Sequence, residues 1–217
     1  MRADELWQRF ERADAWRPAP YQDRYPARMP DGRVLVLPIR ELPGGGGVAS
    51  LISTQASFEV ERALVTWMAE RVEDADVVVG MPTLGLLYAR ALAERLGHTN
   101  WVALGYSRKF WYDEALSAPV SSITSPGQAK RVYLDPRMLP RLNGRRALLV
   151  DDVISTGTSA AAAMDVLAKT ETQVVGMAFA MLQSDRWRER LGARTELVRG
   201  VFATPLFERK EDGWWPI

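Results

Sequence analysis

The sequence predicts an α/β domain built on a mostly parallel, twisted sheet flanked by helices. Three observations carry this. Short apolar runs at 76–80, 101–104, 146–150 and 174–181 alternate with segments of helical period. The runs are continuously apolar, not alternating, as in parallel strands buried on both faces. The chain has 217 residues, which at about 150 residues per domain fits one large domain or a domain with an appended piece.

Taken in order, residues 3–16 read as a short amphipathic helix with Leu6, Phe10 and Ala13 on one side and Trp7 and Trp16 off that stripe. Residues 17–32 hold four prolines and read as an irregular connector. Arg33 to Ile39 is a strand, with Pro38 marking its end or a sheet edge. A four-glycine loop, 44–47, follows. Ser57 caps a helix running to about Val72, whose apolar positions Ala63, Leu64, Trp67, Met68 and Val72 recur at helical spacing. Beyond it come a strand from Asp76 to Gly80, a helix from Leu84 to Leu96 stopped by Gly97, and a strand from Trp101 to Leu104. The C-terminal half supplies a strand from Arg146 to Val150, a helix from Thr156 to about Lys169 and a strand from Val174 to Met181. Between Tyr106 and Asn143 the rhythm breaks into a stretch rich in Ser, Pro and basic residues, which reads as a binding loop or as a β-hairpin excursion.

Composition excludes several kinds of chemistry. The chain has no Cys, so thiolate metal sites, disulfides and cysteine nucleophiles are ruled out, and its single His, His98, rules out His-rich metal clusters. Lys and Arg total 28 against 27 Asp and Glu, a balance that gives no reason to expect nucleic-acid binding. No apolar run reaches the roughly 18 residues of a transmembrane helix. The charged N-terminus has no signal-peptide core, so a cytoplasmic protein is expected.

The informative segment is Ala147 to Ser159, ALLVDDVISTGTS. An apolar strand ends in two carboxylates, Asp151 and Asp152, and a small hydroxyl- and glycine-bearing loop then opens an Ala-rich helix. Free amides at a helix start and the positive end of its dipole form an anion site. Ser155, Thr156, Thr158 and Ser159 add side-chain donors, and Gly157 permits close backbone approach or a positive φ. One end of the turn therefore suits a phosphate, while the two carboxylates accept hydrogen bonds from sugar hydroxyls. The segment is neither a Walker A loop nor a Gly-x-Gly-x-x-Gly turn.

VDDVISTGTS at 150–159 resembles the phosphoribosyl diphosphate (PRPP) binding motif of the type I phosphoribosyltransferases, with a likeness covering about residues 50–183. That resemblance implies a single domain with a core over about 50–183, a mobile lid over about 110–140, and a small hood formed by the terminal segments 17–48 and 184–217. It assigns the 5′-phosphate and ribose to Asp151, Asp152, Ser155, Thr156, Gly157, Thr158 and Ser159. Pyrophosphate falls to the loop containing Thr83, Leu84 and Gly85, which here carries no Lys or Arg, and to Arg108, Lys109, Lys130 and Arg131. The catalytic group is Asp151, Asp152, Arg108 and Lys109.

The implied reaction moves ribose 5-phosphate from PRPP to a nucleobase, with Mg²⁺ bound mainly through PRPP and no dedicated protein metal site. Val153 and Ile154 would flank the base and Trp187 would stack on it. The Arg-Lys pair, the long loop after it and Ser155 in place of an acid resemble the adenine and xanthine branch, which points to a purine-like base. The alternatives are an orotate-type enzyme and a non-catalytic PRPP-sensing regulator of the same fold. The expected partners are PRPP and a base, with no nucleic acid or membrane, in a homodimer.

Overall fold

The computed structural model describes residues 7–120 and 130–217. Its centre is a five-stranded, fully parallel sheet. The strands are β5 (Val77–Gly80), β6 (Val102–Ala103), β9 (Arg146–Ile154), β10 (Gln173–Gln183) and β11 (Val198–Thr204), in the order β11-β10-β9-β5-β6. From β5 the chain crosses to β6 on one side; from β9 it crosses to β10 and β11 on the other. The order therefore reverses between β5 and β9, which is where ligands bind in open α/β sheets.

The strands are buried on both faces, as their unbroken apolar runs predict. One face, with Val78, Leu148, Val150, Ala178 and Ala180, packs on α1 (Phe58–Ala69) and α2 (Gly85–Arg95). The other, with Val79, Leu149, Met177 and Phe179, packs on α4 (Thr158–Leu167). Ser57 caps α1 by accepting from the Val60 amide, and Gly97 ends α2 at φ +84°. β9 and β10 run further than their apolar cores suggest. β9 continues through both aspartates to Ile154, because β10 lies alongside it to Leu182.

The terminal segments form a second, six-stranded antiparallel sheet. It consists of β1 (Phe10–Glu11), β2 (Arg24–Arg28), β3 (Val34–Glu41), β4 (Gly47–Ala49), β12 (Leu206–Lys210) and β13 (Gly213–Pro216). Three expectations change here. Residues 7–16 are not helical but form β1 and a single 3₁₀ turn at Ala13–Ala15; residues 1–6 lie outside the described chain. Phe10 packs edge-on against Trp67 at 5.9 Å between ring centres, so its burial comes from a tertiary contact and not from a helical stripe. The supposed connector 17–32 contains β2, and β3 runs through Pro38 to Glu41. Pro38 sits where β3 changes partner, pairing with β2 up to Pro38 and with β4 from Ile39, so its missing N–H breaks no continuous ladder. The core also extends to Thr204, since β11 joins the parallel sheet, and the C-terminal part of the hood begins after it. Trp214 is buried in the hood, where the Tyr21 and Trp214 backbones pair.

The segment 110–140 is not a uniform loop. β7 (Ser117–Pro119) and β8 (Arg131–Tyr133) pair as an antiparallel ladder. Leu116, Ala118, Val132 and Leu134 are buried against the α4 face, and the short helix α3 (Leu139–Leu142) follows. The central residues of the expected lid, 121–129, lie outside the described chain. Leu134→Ala should therefore destabilise the protein by about 2–5 kcal/mol in denaturant unfolding, as for any core leucine; an unchanged midpoint would mean that this flank is not part of the core.

Candidate functional site

The site lies at the carboxyl ends of β5 and β9. β9 extends four residues beyond the register pair Gly80–Val150, which carries Asp151 and Asp152 past the end of β5. Asp151 is 7% exposed, and its Oδ1 accepts the Asp152 amide at 2.9 Å. The Gly85 amide also donates to its carboxylate. Gly85 is required here, because a Cβ at this position would fall on Oδ1 of Asp151 and 2.8 Å from its Cα. The Gly85 amide assigned to pyrophosphate is thus engaged by Asp151. Thr83 and Leu84 stand on the turn before α2, where the Pro82–Thr83 peptide is cis.

Burial pushes the Asp151 carboxyl well above the ordinary carboxylate range, and the neighbouring Asp152 charge pushes it further. Asp152 is also raised by burial, but hydrogen bonds from Asp151 and Ser53 oppose the shift. Ser53 Oγ donates to Asp152 Oδ2 at 3.2 Å. Burial thus disfavours ionisation most strongly at Asp151.

Below the carboxylates, the loop 155–157 opens α4. Gly157 stands at φ +75° as the residue before the helix, and no side chain caps the first turn. Those free amides and the helix dipole face a cavity of about 120 Å³. It is lined by Asp151, Val153, Ile154 and all five residues from Ser155 to Ser159. Thr156 and Thr158 place their hydroxyls 3.0 Å apart. Tyr106 reaches Ser159 through its hydroxyl, and Lys130 Nζ lies 3.4 Å from the centre of its ring. Burial raises the Tyr106 hydroxyl above its ordinary value. Arg186 Nη2 donates to Ser155 Oγ at 3.0 Å.

The structure brings together most of the residues that the sequence singles out, and separates three. Trp187 is 2% exposed and its indole N–H is held by the Ser184 carbonyl at 2.8 Å. It is a packing residue of the short helix α5 (Trp187–Leu191) and offers no face to a base. Arg131 is engaged by Glu114 at 3.1 Å and by Ser117, and so ties the hairpin together. Arg108 pairs with Glu114 at 3.4 Å, while Lys109 is exposed beside it. Ile154 lies in the core beneath the loop, leaving Val153 the more accessible of the two. Ser53, Tyr106 and Arg186 are additions. Tyr106 adjoins the Arg-Lys pair, a proximity that could have flagged it; Ser53 and Arg186 carry no local signal, since both arrive by tertiary packing.

An open parallel sheet with an uncapped helix start and two carboxylates at its switch point defines a phosphate- and sugar-binding α/β protein. Residues 54–200 match the family model of the phosphoribosyl transferase domain, and the chain belongs to that family. It is 29% identical over 161 residues to an adenine phosphoribosyltransferase of Thermosynechococcus vestitus, covering 71% of this chain and 89% of that protein. It is 36% identical over 135 residues to the adenine phosphoribosyltransferase of Frankia alni, covering 62% of this chain and 67% of that one. It is also 33% identical over 108 residues to the transcriptional regulator GfcR of Archaeoglobus fulgidus, covering 50% of this chain and 48% of that protein. The fold resembles the crystal structure of adenine phosphoribosyltransferase from Rhodothermus marinus, with a TM-score of 0.59 at 23% identity, covering 76% of this chain and 94% of that one.

Two outcomes follow from this geometry. A Cβ on Gly157 would lie 3.2 Å from the Trp187 carbonyl oxygen and 3.2 Å from its Cβ, so the glycine is demanded by α5 as well as by its positive φ. Gly157→Ala should lower stability by about 1–2 kcal/mol in thermal unfolding, the usual penalty of the left-handed region, and the β-branched Gly157→Val by more; an unshifted melt would show that the turn does not need glycine.

The second concerns pH. The folded state holds the Asp151 proton more tightly than the unfolded chain does. Its contribution to stability is therefore full below the ordinary carboxylate range and is lost as pH rises through the elevated value. Asp151→Asn keeps an acceptor for the Asp152 amide and removes the ionisation. At neutral pH the variant should resist denaturant better than the parent, with the gap closing towards about pH 4. A parent that is more stable at every pH would contradict the raised carboxyl.

Proposed function

We propose that this protein transfers ribose 5-phosphate from PRPP to a purine base, adenine in the first instance, with release of pyrophosphate. The observation that carries the reading is the juxtaposition of the uncapped α4 start with Asp151 and Asp152 at the β5–β9 switch point. The names of the relatives support adenine as the first acceptor to test.

In this reading the α4 amides and the hydroxyls of Thr156, Thr158 and Ser159 hold the 5′-phosphate. Asp152, with Asp151 behind it, accepts from the ribose hydroxyls. As the bond from ribose C1 to the pyrophosphate oxygen breaks and the bond to the base nitrogen forms, positive charge grows at the sugar and negative charge at the leaving group. The ionised Asp152 lies on the sugar side. Arg108, Lys109, Lys130 and the turn at Thr83 and Leu84 serve the leaving group, so the work is positioning and fixed charge. Val153 flanks the base.

Among the described residues no cluster of three or more His, Asp or Glu could hold a metal. In this reading a Mg²⁺ ion would be carried by diphosphate oxygens and water, with no side chain assigned to it. When bound, the ion would neutralise diphosphate charge.

No helix among the described residues is long and apolar enough to cross a membrane. We further propose a cytoplasmic homodimer. Phe110, 95% exposed with Trp111 edge-on against it at 4.8 Å, supports an apolar contact beside the Arg-Lys pair.

The test is pyrophosphate release by the purified protein with PRPP, Mg²⁺ and a panel of bases, read alongside thermal unfolding. PRPP at 100 times its dissociation constant should stabilise the fold by about 2.7 kcal/mol, and adenine should drive turnover. PRPP stabilisation with no base-dependent release would instead indicate a PRPP-sensing regulator. The absence of any PRPP shift would overturn both readings.

A further inference from the structure

The N-terminal segment holds a loop that reaches the site. Gln8 is 4% exposed. Its carboxamide clamps the loop after β4 from both sides: Nε2 donates to the Ser50 carbonyl at 2.8 Å, and Oε1 accepts the Ile52 amide at 2.7 Å. Its backbone adds two more bonds, donating to the Gln55 carbonyl and accepting the Ser57 amide, each at 2.8 Å. Four hydrogen bonds thus hold residues 50–57 to one buried glutamine.

The clamped loop presents Ser53, itself 6% exposed. Its hydroxyl donates to Asp152 across 99 residues of sequence. Behind it, the Tyr88 hydroxyl of α2 is buried, with Ser53 as its polar neighbour.

We propose that Ser53 is a positioning residue for Asp152, fixing one carboxylate oxygen so that the other is presented to the ribose, and that Gln8 is the clamp that holds Ser53 in place. The proposal rests on the PRPP-binding reading above. It makes the chain before the matched residues 54–200 a working part of the site: Gln8 and Ser53 set the geometry of a carboxylate on the core sheet. Ser53 acts through Asp152 and not on the reacting atoms. Its loss should therefore weaken PRPP binding without changing which base is used.

The experiment is calorimetric titration of PRPP with Mg²⁺ into the parent, Ser53→Ala, Asp152→Asn and the double variant, with thermal unfolding of each free protein. Ser53→Ala should weaken binding roughly tenfold, the scale of one hydrogen bond to a charged group. In the Asp152→Asn background the same change should have little further effect, because the partner it orients is gone. Gln8→Met, which keeps the backbone bonds and removes the clamp, should weaken binding in the same direction and add little to Ser53→Ala. Full PRPP affinity in Ser53→Ala would overturn the assignment. So would equal losses in the parent and Asp152→Asn backgrounds, since a purely structural serine would act independently of Asp152. A parent that binds no PRPP would remove the underlying reading and this proposal with it, whereas a parent that binds alongside an unaffected Ser53→Ala removes the proposal alone.

Discussion

A carboxyl group desolvated at the end of a central strand needs partners on every side, and Asp151 organises the site by finding them. It takes the amide of Asp152 on its own strand and that of Gly85 on the neighbouring helix, and shares a hydrogen bond with the Asp152 side chain. One buried group thereby joins the two turns that flank the switch point. The arrangement is asymmetric, since burial disfavours ionisation most at Asp151. Two adjacent acids in one low-dielectric crevice thus differ in how strongly their ionisation is disfavoured.

The phosphate end depends on that frame but is built from different forces. The α4 start lacks a side-chain cap, leaving donors that an anion would satisfy. What shapes the turn is packing from outside: Trp187 sits against the position where a Gly157 side chain would be, and Arg186 on the same connection reaches Ser155. α5 therefore acts as a buttress. Its contact with the turn is made by the Trp187 backbone and Cβ, while the indole is held by the Ser184 carbonyl.

The hood contributes by reach. β4 leads from the antiparallel sheet directly into the loop that carries Ser53, and the Gln183 side chain ties the end of β10 to the Ala49 carbonyl at 2.9 Å. The first and last parts of the chain meet in one sheet, with β4 paired to β12. The aromatic cluster of Tyr21, Tyr25 and Phe207, with ring centres 5.3–6.0 Å apart, makes that sheet a packed body. The residues of that sheet share one core with α1, α2 and the face of the parallel sheet beneath them.

The sequence by itself determined the parallel core and the phosphate turn. Strands buried on both faces must be continuously apolar, and an Asp-Asp pair before a small hydroxyl loop can be read locally, because all its parts lie within ten residues of chain. The terminal sheet was largely illegible. β1, β2, β12 and β13 are short, carry prolines or charges, and find partners far away in sequence, as the backbone pairing of Trp214 in β13 with Tyr21 illustrates. Trp187 could not be separated from a base-stacking residue by composition, since an aromatic after a core strand suits either role; only its 2% exposure decides. Arg131 likewise looked like any other loop cation until Glu114 and Ser117 were found against it. Ser53 and Gln8 left no pattern at all. A hydrogen bond across 99 residues is a property of how the chain returns on itself, and only the tertiary structure decided which side chains would meet the carboxylates.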